Sequence, residues 1–493
     1  MTTRTDPAPR PGRPPRARVH RSAWALLAVS LATFMTYLDN NIINVAIPTI
    51  QRHLHLSQSG IEWVVSAYIL VFAALLLAGG RLGDVLGLRR VFLAGLVLFS
   101  VSSLLAGLSV DTAMLITSRA LQGLGAALLT PATLAIISDV YPEPGEQARA
   151  VAAWSAVAAL ALAVGPLLGG YLSQDISWHW IFFINVPVGA ATLGLAIWAV
   201  PAAPTHRRRI DVTGVVSSTL SLGGLTYGLI QGPQVGWSSP SVLAALALAA
   251  LSAVAFVVAE RLDTDPMINL SLFGDRVFSG SLVALMLWAF GLFGIYFYTS
   301  LYLQDILRFS AIKAGLAFVP MAVLMAAGAA VSDRVAALVG AHRSVGVAMV
   351  LMGGGIASVS ALGAHSSFAE LMPAFVVIGI GGGLTIPLTA TVLAAMPADR
   401  AGVASGVFNA SREVAGLLGI TVIGVILTAR MHAESHLGRP LASAFLSGYH
   451  LSVLVSGAMV ATGGAAAWVA LRSAASHRKP SATTSGGLPA PAR

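Results

Sequence analysis

The 493-residue chain has no cysteine, which excludes disulfides, thiolate metal sites and cysteine nucleophiles. Charge is also scarce. Only 10% of residues are Asp, Glu, Lys or Arg, against about 25% in a soluble domain. Lysine is nearly missing, with 2 residues against 27 arginines. There is no Walker sequence, and the glycine runs lie in apolar segments rather than after strands, so ATP coupling and phosphate loops are not indicated. The 11 histidines lie mostly in polar connections without metal-ligand spacing, and no nucleophile–base arrangement suggests hydrolysis. What is abundant is apolar surface: 56% of residues are hydrophobic. An ordinary core cannot absorb that much, so the expected solvent is a bilayer.

About 20 apolar residues make one helical crossing. Fourteen such windows occur, near 23–48, 61–80, 91–108, 113–137, 150–171, 180–200, 212–230, 241–259, 277–303, 314–332, 344–363, 370–395, 402–428 and 448–471. With the N-terminus placed inside, 22 of the 29 Lys and Arg residues fall on inner segments and five in outer loops. This follows the positive-inside rule, so the net charge of +9 needs no nucleic-acid partner. The expectation is a multi-pass protein of the inner (plasma) membrane with both termini cytoplasmic. Residues 1–21, rich in Pro and Arg, and the polar stretch 473–493 are expected to be disordered tails. Residue 24 opens an apolar run too long, and too poor in cleavage signals, for a secretory leader.

The chain repeats itself. In QGLGAALLTPATL (122–134) and IGIGGGLTIPLTA (378–390), Gly123, Gly125 and Pro131 match Gly379, Gly381 and Pro387 at one constant offset. Asp84 has a fainter echo in Asp333, and Arg149 opens the fifth span much as Arg400 opens the thirteenth. The expected fold is all-α: a six-helix bundle over 22–200, two inserted helices over 201–276 and a second six-helix bundle over 277–472. Parallel six-helix repeats bind their substrate near the midplane, between the halves.

Six segments carry a family resemblance. GRLGDVLGLRR (80–90) resembles the loop signature of the major facilitator superfamily, matching at Gly80, Leu82, Asp84, Gly87, Arg89 and Arg90. In that family the loop is a cytoplasmic latch whose Asp pairs with a nearby Arg or a helix end. RALQGLGAALLTP resembles the fourth-span motif, with Arg119 and Gln122 in place. GPLLGG resembles the antiporter motif of the fifth span, at Gly165, Pro166, Gly169 and Gly170, although the motif's earlier glycine is Ala161. Gly165 and Gly169 form a G-x-x-x-G face that lets two backbones approach. LDNNIINVAIP (38–48) resembles the first span of the fourteen-helix drug:proton antiporter family, with Asn41 in place of Thr. That family's W-R-W reads Trp178-His179-Trp180 here. RAGVASGVFNASREVAGLLG (400–419) resembles its thirteenth span.

Asp39 poses the central question, because an ionised carboxylate at membrane depth costs several kcal/mol or more. It lies about 22 Å along its helix from Trp24, at a depth comparable to Arg119 of the fourth span, so an Asp39–Arg119 pair is expected. Burial disfavours the charge of such an acid and an adjacent guanidinium favours it; an acid between the two can exchange a proton. Glu413, beside Arg412 in the thirteenth span, is the second candidate acid, although the two could simply neutralise each other. Asn44, Gln122, Asn409 and Arg412 could meet substrate or bond their neighbours. Tyr37, Trp154 and Phe408 could line an aromatic pocket or pack. Trp178, Trp180, Phe182 and Phe183 read as interfacial anchors. The resemblance implies a monomeric exporter of small amphipathic drugs or antibiotics, driven by the proton gradient without a bound cofactor. The alternatives are a proton-coupled metabolite transporter and a transport-dead membrane sensor.

Overall fold

The computed structural model describes residues 15–202, 211–263, 266, 268, 270–388 and 401–477. Arg400 and most of the two tails lie outside that set. Among the described residues there is no strand; helices follow one another through short turns. They are α1 (Pro15–Leu54), α2 (Gln58–Leu86), α3 (Leu88–Gly107), α4 (Thr112–Val140), α5 (Pro144–Tyr171), α6 (Trp180–Phe183) and α7 (Asn185–Ala199). Then come α8 (Val212–Val235), α9 (Pro240–Leu262), α10 (Arg276–Leu301), α11 (Ala311–Val339), α12 (Ala341–Ser358), α13 (Phe368–Gly383), α14 (Ala401–His436) and α15 (Leu441–His477).

Local chemistry sets the helix starts. Ser57 Oγ accepts from Gly60 N at 3.1 Å, Asp111 Oδ1 from Met114 N at 2.8 Å and Asp211 Oδ1 from Gly214 N at 2.7 Å, each satisfying an orphan donor of the first turn. Pro144 and Pro240 stand at first-turn positions, where their missing N–H costs nothing.

Twelve of the fourteen windows form helices long and apolar enough to cross a membrane, with α6 and α7 together making one crossing. The other two windows are α8, which is 24 residues long but carries Gln, Ser and Thr, and α13, which is shorter. Residues 389–395 of the α13 window lie outside the described set. The first span is much longer than 23–48, because hydrogen bonding continues into polar residues at both ends. The sixth span runs from Trp180 to Ala199, with Ile184, at φ −57° and ψ −29°, helical between α6 and α7.

Helices α1 to α7 pack among themselves, as do α10 to α15. The two halves meet along two seams, α5 against α11 and α2 against α14. The inserted hairpin α8–α9 lies on the α2–α14 seam and leaves a chamber of about 270 Å³ there, lined by Leu77, Leu222, Phe256, Met286 and Val414 among others.

The internal repeat is structural. A Cβ on Gly123 would strike the α2 backbone at Tyr68, and one on Gly125 would strike α3 at Phe99. Their counterparts do the same in the second half: Gly379 abuts Met321 of α11, and Gly381 abuts Ala348 and Met352 of α12. The fourth helix of each half therefore rests on the second and third through matched glycines. Gly87 and Gly340 form a further pair. Each links the second helix of its half to the third, with φ of 95° and 90°.

Candidate functional site

Asp39 and Arg119 form a salt bridge, and both are fully buried. Asp39 Oδ2 takes the guanidinium Nη1. Its Oδ1 accepts from Gln122 Nε2 at 2.9 Å and from Asn185 Nδ2 at 3.1 Å. Arg119 Nη1 also donates to Gln122 Oε1 at 2.9 Å, and Nε donates to the Val64 carbonyl at 3.2 Å. The guanidinium lies over the Tyr68 ring, 4.4 Å from its centroid, and 5.9 Å from that of Phe182. Three helices, α1, α4 and α7, thus converge on one carboxylate held by a cation and two amides, the condition under which a buried charge is tolerable. Arg119 Nη2, also buried, has no hydrogen-bond partner among the described residues.

Asn185 was not among the candidates read from the sequence. It reaches Asp39 from the sixth span, just before Pro187. An Asn two residues ahead of a proline in an apolar span is the signal that marks it. Gln122, expected to meet substrate or bond its neighbours, does the latter: its second amide hydrogen goes to Ser103 Oγ at 2.7 Å. Trp178 and Phe182 are core side chains rather than interfacial anchors, 1% and 0% exposed, whereas Trp180, 48% exposed, suits the interface.

In the second half Arg412 bonds Glu413 Oε1 at 2.7 Å and faces Tyr37 of α1. The neutralising side-chain pair is therefore the arrangement observed, and Glu413 Oε2 is left buried without a partner among the described residues. Asn44 Nδ2 donates to the Asn40 carbonyl at 3.1 Å, within its own helix. Trp154 Nε1 donates to Thr33 Oγ1 at 2.6 Å, tying α5 to α1. Phe408 is buried against Phe278 and does not line an aromatic pocket. Asn409 is half-buried on α14.

Around the latch motif, Arg81 donates to the Pro266 carbonyl at 2.8 Å, and Arg89 donates to the Ile197 carbonyl in the last turn of α7, where the helix dipole favours a cation. Arg90 is exposed and Asp84 half-buried. Gly80 sits against Pro131 of α4. Gly87 adopts φ 95°, ψ 131°, a region that suits glycine. Gly87→Ala is expected to cost about 1–3 kcal/mol, measured as a lower Tm in detergent, while Gly80→Ala, whose Cβ would make only ordinary contact at 3.6 Å, is expected to leave Tm within a degree or so of the parent.

The antiporter motif is a contact between helices. A Cβ on Gly165 would lie 2.9 Å from that of Asn41, and one on Gly169 would strike the Ile42 carbonyl, so both glycines seat α5 on α1. Gly170 faces the other half, its backbone against Ala311 and Ile312 of α11. Gly315 of α11 returns the contact on Pro166.

Repeated helical halves, the first holding a buried ion pair, in a chain whose helices are long enough to span a bilayer, define a multi-pass membrane transporter of small molecules rather than an enzyme. A major facilitator superfamily profile matches residues 29–420. The chain belongs to that superfamily. It is 34% identical over 420 residues to the multidrug resistance protein Stp of Mycobacterium tuberculosis, covering 84% of this chain and 78% of that one. It is 34% identical over 421 residues to the tetracenomycin C resistance and export protein of Streptomyces glaucescens (85% and 78%), and 32% identical over 467 residues to the puromycin resistance protein pur8 of Streptomyces alboniger (92% of each). Among solved structures, it matches a bacterial homolog of the human lysosomal transporter Spinster with a TM-score of 0.67 at 17% identity, covering 96% of this chain and 100% of that one. At that identity the match speaks to fold alone.

Proposed function

We propose that the chain exports small amphipathic drugs or antibiotics in exchange for protons, by alternating access of the bundles 22–200 and 277–472. The observation that carries this reading is the Asp39–Arg119 pair, buried and ringed by the neutral donors Gln122 and Asn185. The resistance proteins among its relatives support the cargo class. A proton arriving on Asp39 neutralises the carboxylate and frees Arg119. The guanidinium, already over Tyr68 and with Nη2 unpartnered, is then free to move toward the central seam. Glu413 takes part only when Arg412 leaves it, because its charge is answered within the pair and its second oxygen is buried. Exchange requires that proton and drug each favour a different facing state, since only differential affinity shifts the balance. The membrane potential adds about 2.3 kcal/mol per charge per 100 mV. The Asp84 loop acts as a cytoplasmic latch, and both termini face the cytoplasm of a bacterial plasma-membrane protein working as a monomer.

The test is dye export from a drug-sensitive host. Expression is expected to lower accumulation of a cationic dye several-fold, and a protonophore to restore it. In inverted vesicles holding a pH gradient, added substrate is expected to drain the gradient. Export untouched by the protonophore overturns the proton coupling, and accumulation unchanged by expression overturns the exporter.

A further inference from the structure

Glu62 is a buried carboxyl that the Asp39 network does not use. It sits one turn into α2 and is 4% exposed. Its Oε1 accepts from Gln58 Nε2 at 3.3 Å and lies 3.1 Å from the hydroxyl of Tyr298 on α10. That hydroxyl is also 3.1 Å from the Ile420 carbonyl of α14. Gly424, one turn on, leaves the room: a Cβ there would lie 2.7 Å from Glu62 Oε1. Glu62 therefore joins the first half to two helices of the second. It does so at the end opposite the termini, where Gln304 Nε2 donates to the Val45 carbonyl at 2.7 Å and Ile312 N donates to Gln174 Oε1 at 3.2 Å.

No cation answers it. Helix α2 packs chiefly against α3, α4, α8 and α14, with a lighter contact to α1. Among the described residues no charged side chain from these helices meets Glu62, and Tyr298 is its one titratable contact. Arg119 of α4 touches α2 at Val64 and Tyr68 and is committed to Asp39. An ionised Glu62 would rest on neutral donors alone, a costly state for a buried charge. A phenol has one hydrogen and a carbonyl only accepts. The Tyr298 hydrogen can serve either Glu62 Oε1 or the Ile420 carbonyl, both at 3.1 Å, so the two contacts are hydrogen bonds together when the carboxyl carries a hydrogen of its own. The neutral acid completes a chain, Glu62 O–H to Tyr298, and Tyr298 O–H to Ile420.

We infer that Glu62 is a proton-binding site distinct from Asp39, and that its proton closes the two halves at this end. Opening lets water reach the carboxyl; the O–H bond breaks, the proton passes to water and the carboxylate parts from Tyr298. Linkage is reciprocal, so protons favour the closed arrangement. The two buried acids work from opposite environments, one facing a cation and one facing none among the described residues. This gate requires that the halves alternate, not any particular cargo.

The absence of native cysteine makes the test clean. Spin labels at Val110→Cys and Leu437→Cys, both exposed and one on each half, report the separation in lipid nanodiscs. In the full chain the closed-to-open ratio is expected to rise as pH falls, by up to about tenfold per pH unit for one proton. Glu62→Gln is expected to stay closed from pH 5.5 to 8, while Asp39→Asn keeps a pH-dependent separation. Tyr298→Phe is expected to lower the closed fraction at acid pH. A parent whose distance ignores pH overturns the gate. So does Glu62→Gln with the parent's response or, if that variant does not fold, Tyr298→Phe with an unchanged closed fraction. Because the readout is a distance, it stands apart from any result on drug export.

Discussion

Asp39→Asn is expected to abolish proton-driven export and to cost about 3–5 kcal/mol of stability, whereas Arg119→Gln is expected to be equally inactive but distinctly more stable. The asymmetry comes from what each change strands. Without the carboxylate, Arg119 remains a buried cation, and a guanidinium does not shed its proton at any working pH. Tyr68 and the Val64 carbonyl would be its main remaining partners beside Gln122. Without the guanidinium, Asp39 takes up a proton and stays bonded to Gln122 and Asn185, so much of the penalty disappears. The double variant Asp39→Asn/Arg119→Gln leaves no charge in the cavity and is expected to recover most of the lost stability and none of the transport. Unfolding in detergent and drug-induced loss of a pH gradient in vesicles measure the two effects separately. Gradient-dependent export by Asp39→Asn would remove the pair from the coupling step, and equal stability of the two single variants would refute the stranded-cation account.

Gly170→Val is expected to shift the two-state balance by about 5–150-fold toward opening at the end opposite the termini. The backbone of Ala311 and the Cα of Ile312 occupy the space the new side chain needs, with Ile312 Cα only 2.8 Å from where its Cβ would stand. Overpacking of this kind costs about 1–3 kcal/mol. Because α5 and α11 belong to different halves, the cost falls on the arrangement that brings them together. Gly165→Val, which crowds α1 within the first half, is expected to lower stability in both arrangements and leave the balance nearer the parent. The label pair at positions 110 and 437 distinguishes the two. A Gly170→Val protein with the parent's distance distribution would show that this contact persists through the cycle.

Much of this was legible in the residues because the bilayer simplifies the chemistry. Apolar windows of the right length become helices, and a carboxylate at membrane depth needs a cation, so Asp39 and Arg119 could be matched across 80 residues. Matched glycines revealed the repeat because a residue without a side chain in a helix implies a close neighbour. What was hidden follows from the same physics. In lipid, core and surface are equally apolar, so composition could not distinguish Trp178 from Trp180, although one is 1% and the other 48% exposed. The turns of α1 beyond its apolar window were invisible to a rule based on hydrocarbon thickness. Asn185 could be assigned to Asp39 only once the helices were packed, 146 residues apart in sequence. Glu62, near a helix start, looks like a solvated end until Tyr298, 236 residues away in sequence, is placed over it.

The inserted hairpin makes the two sides of the molecule unequal. Helix α8 rests on α2 and α14, and α9 turns Leu248, Leu251, Val254 and Val258 outward to the acyl chains. The opposite seam has no such cover, and Leu160 and Leu167 of α5 with Leu316 of α11 stand exposed beside it. A greasy molecule already dissolved in the membrane leaflet therefore meets the hairpin and its apolar chamber on one flank and, among the described residues, bare helices on the other.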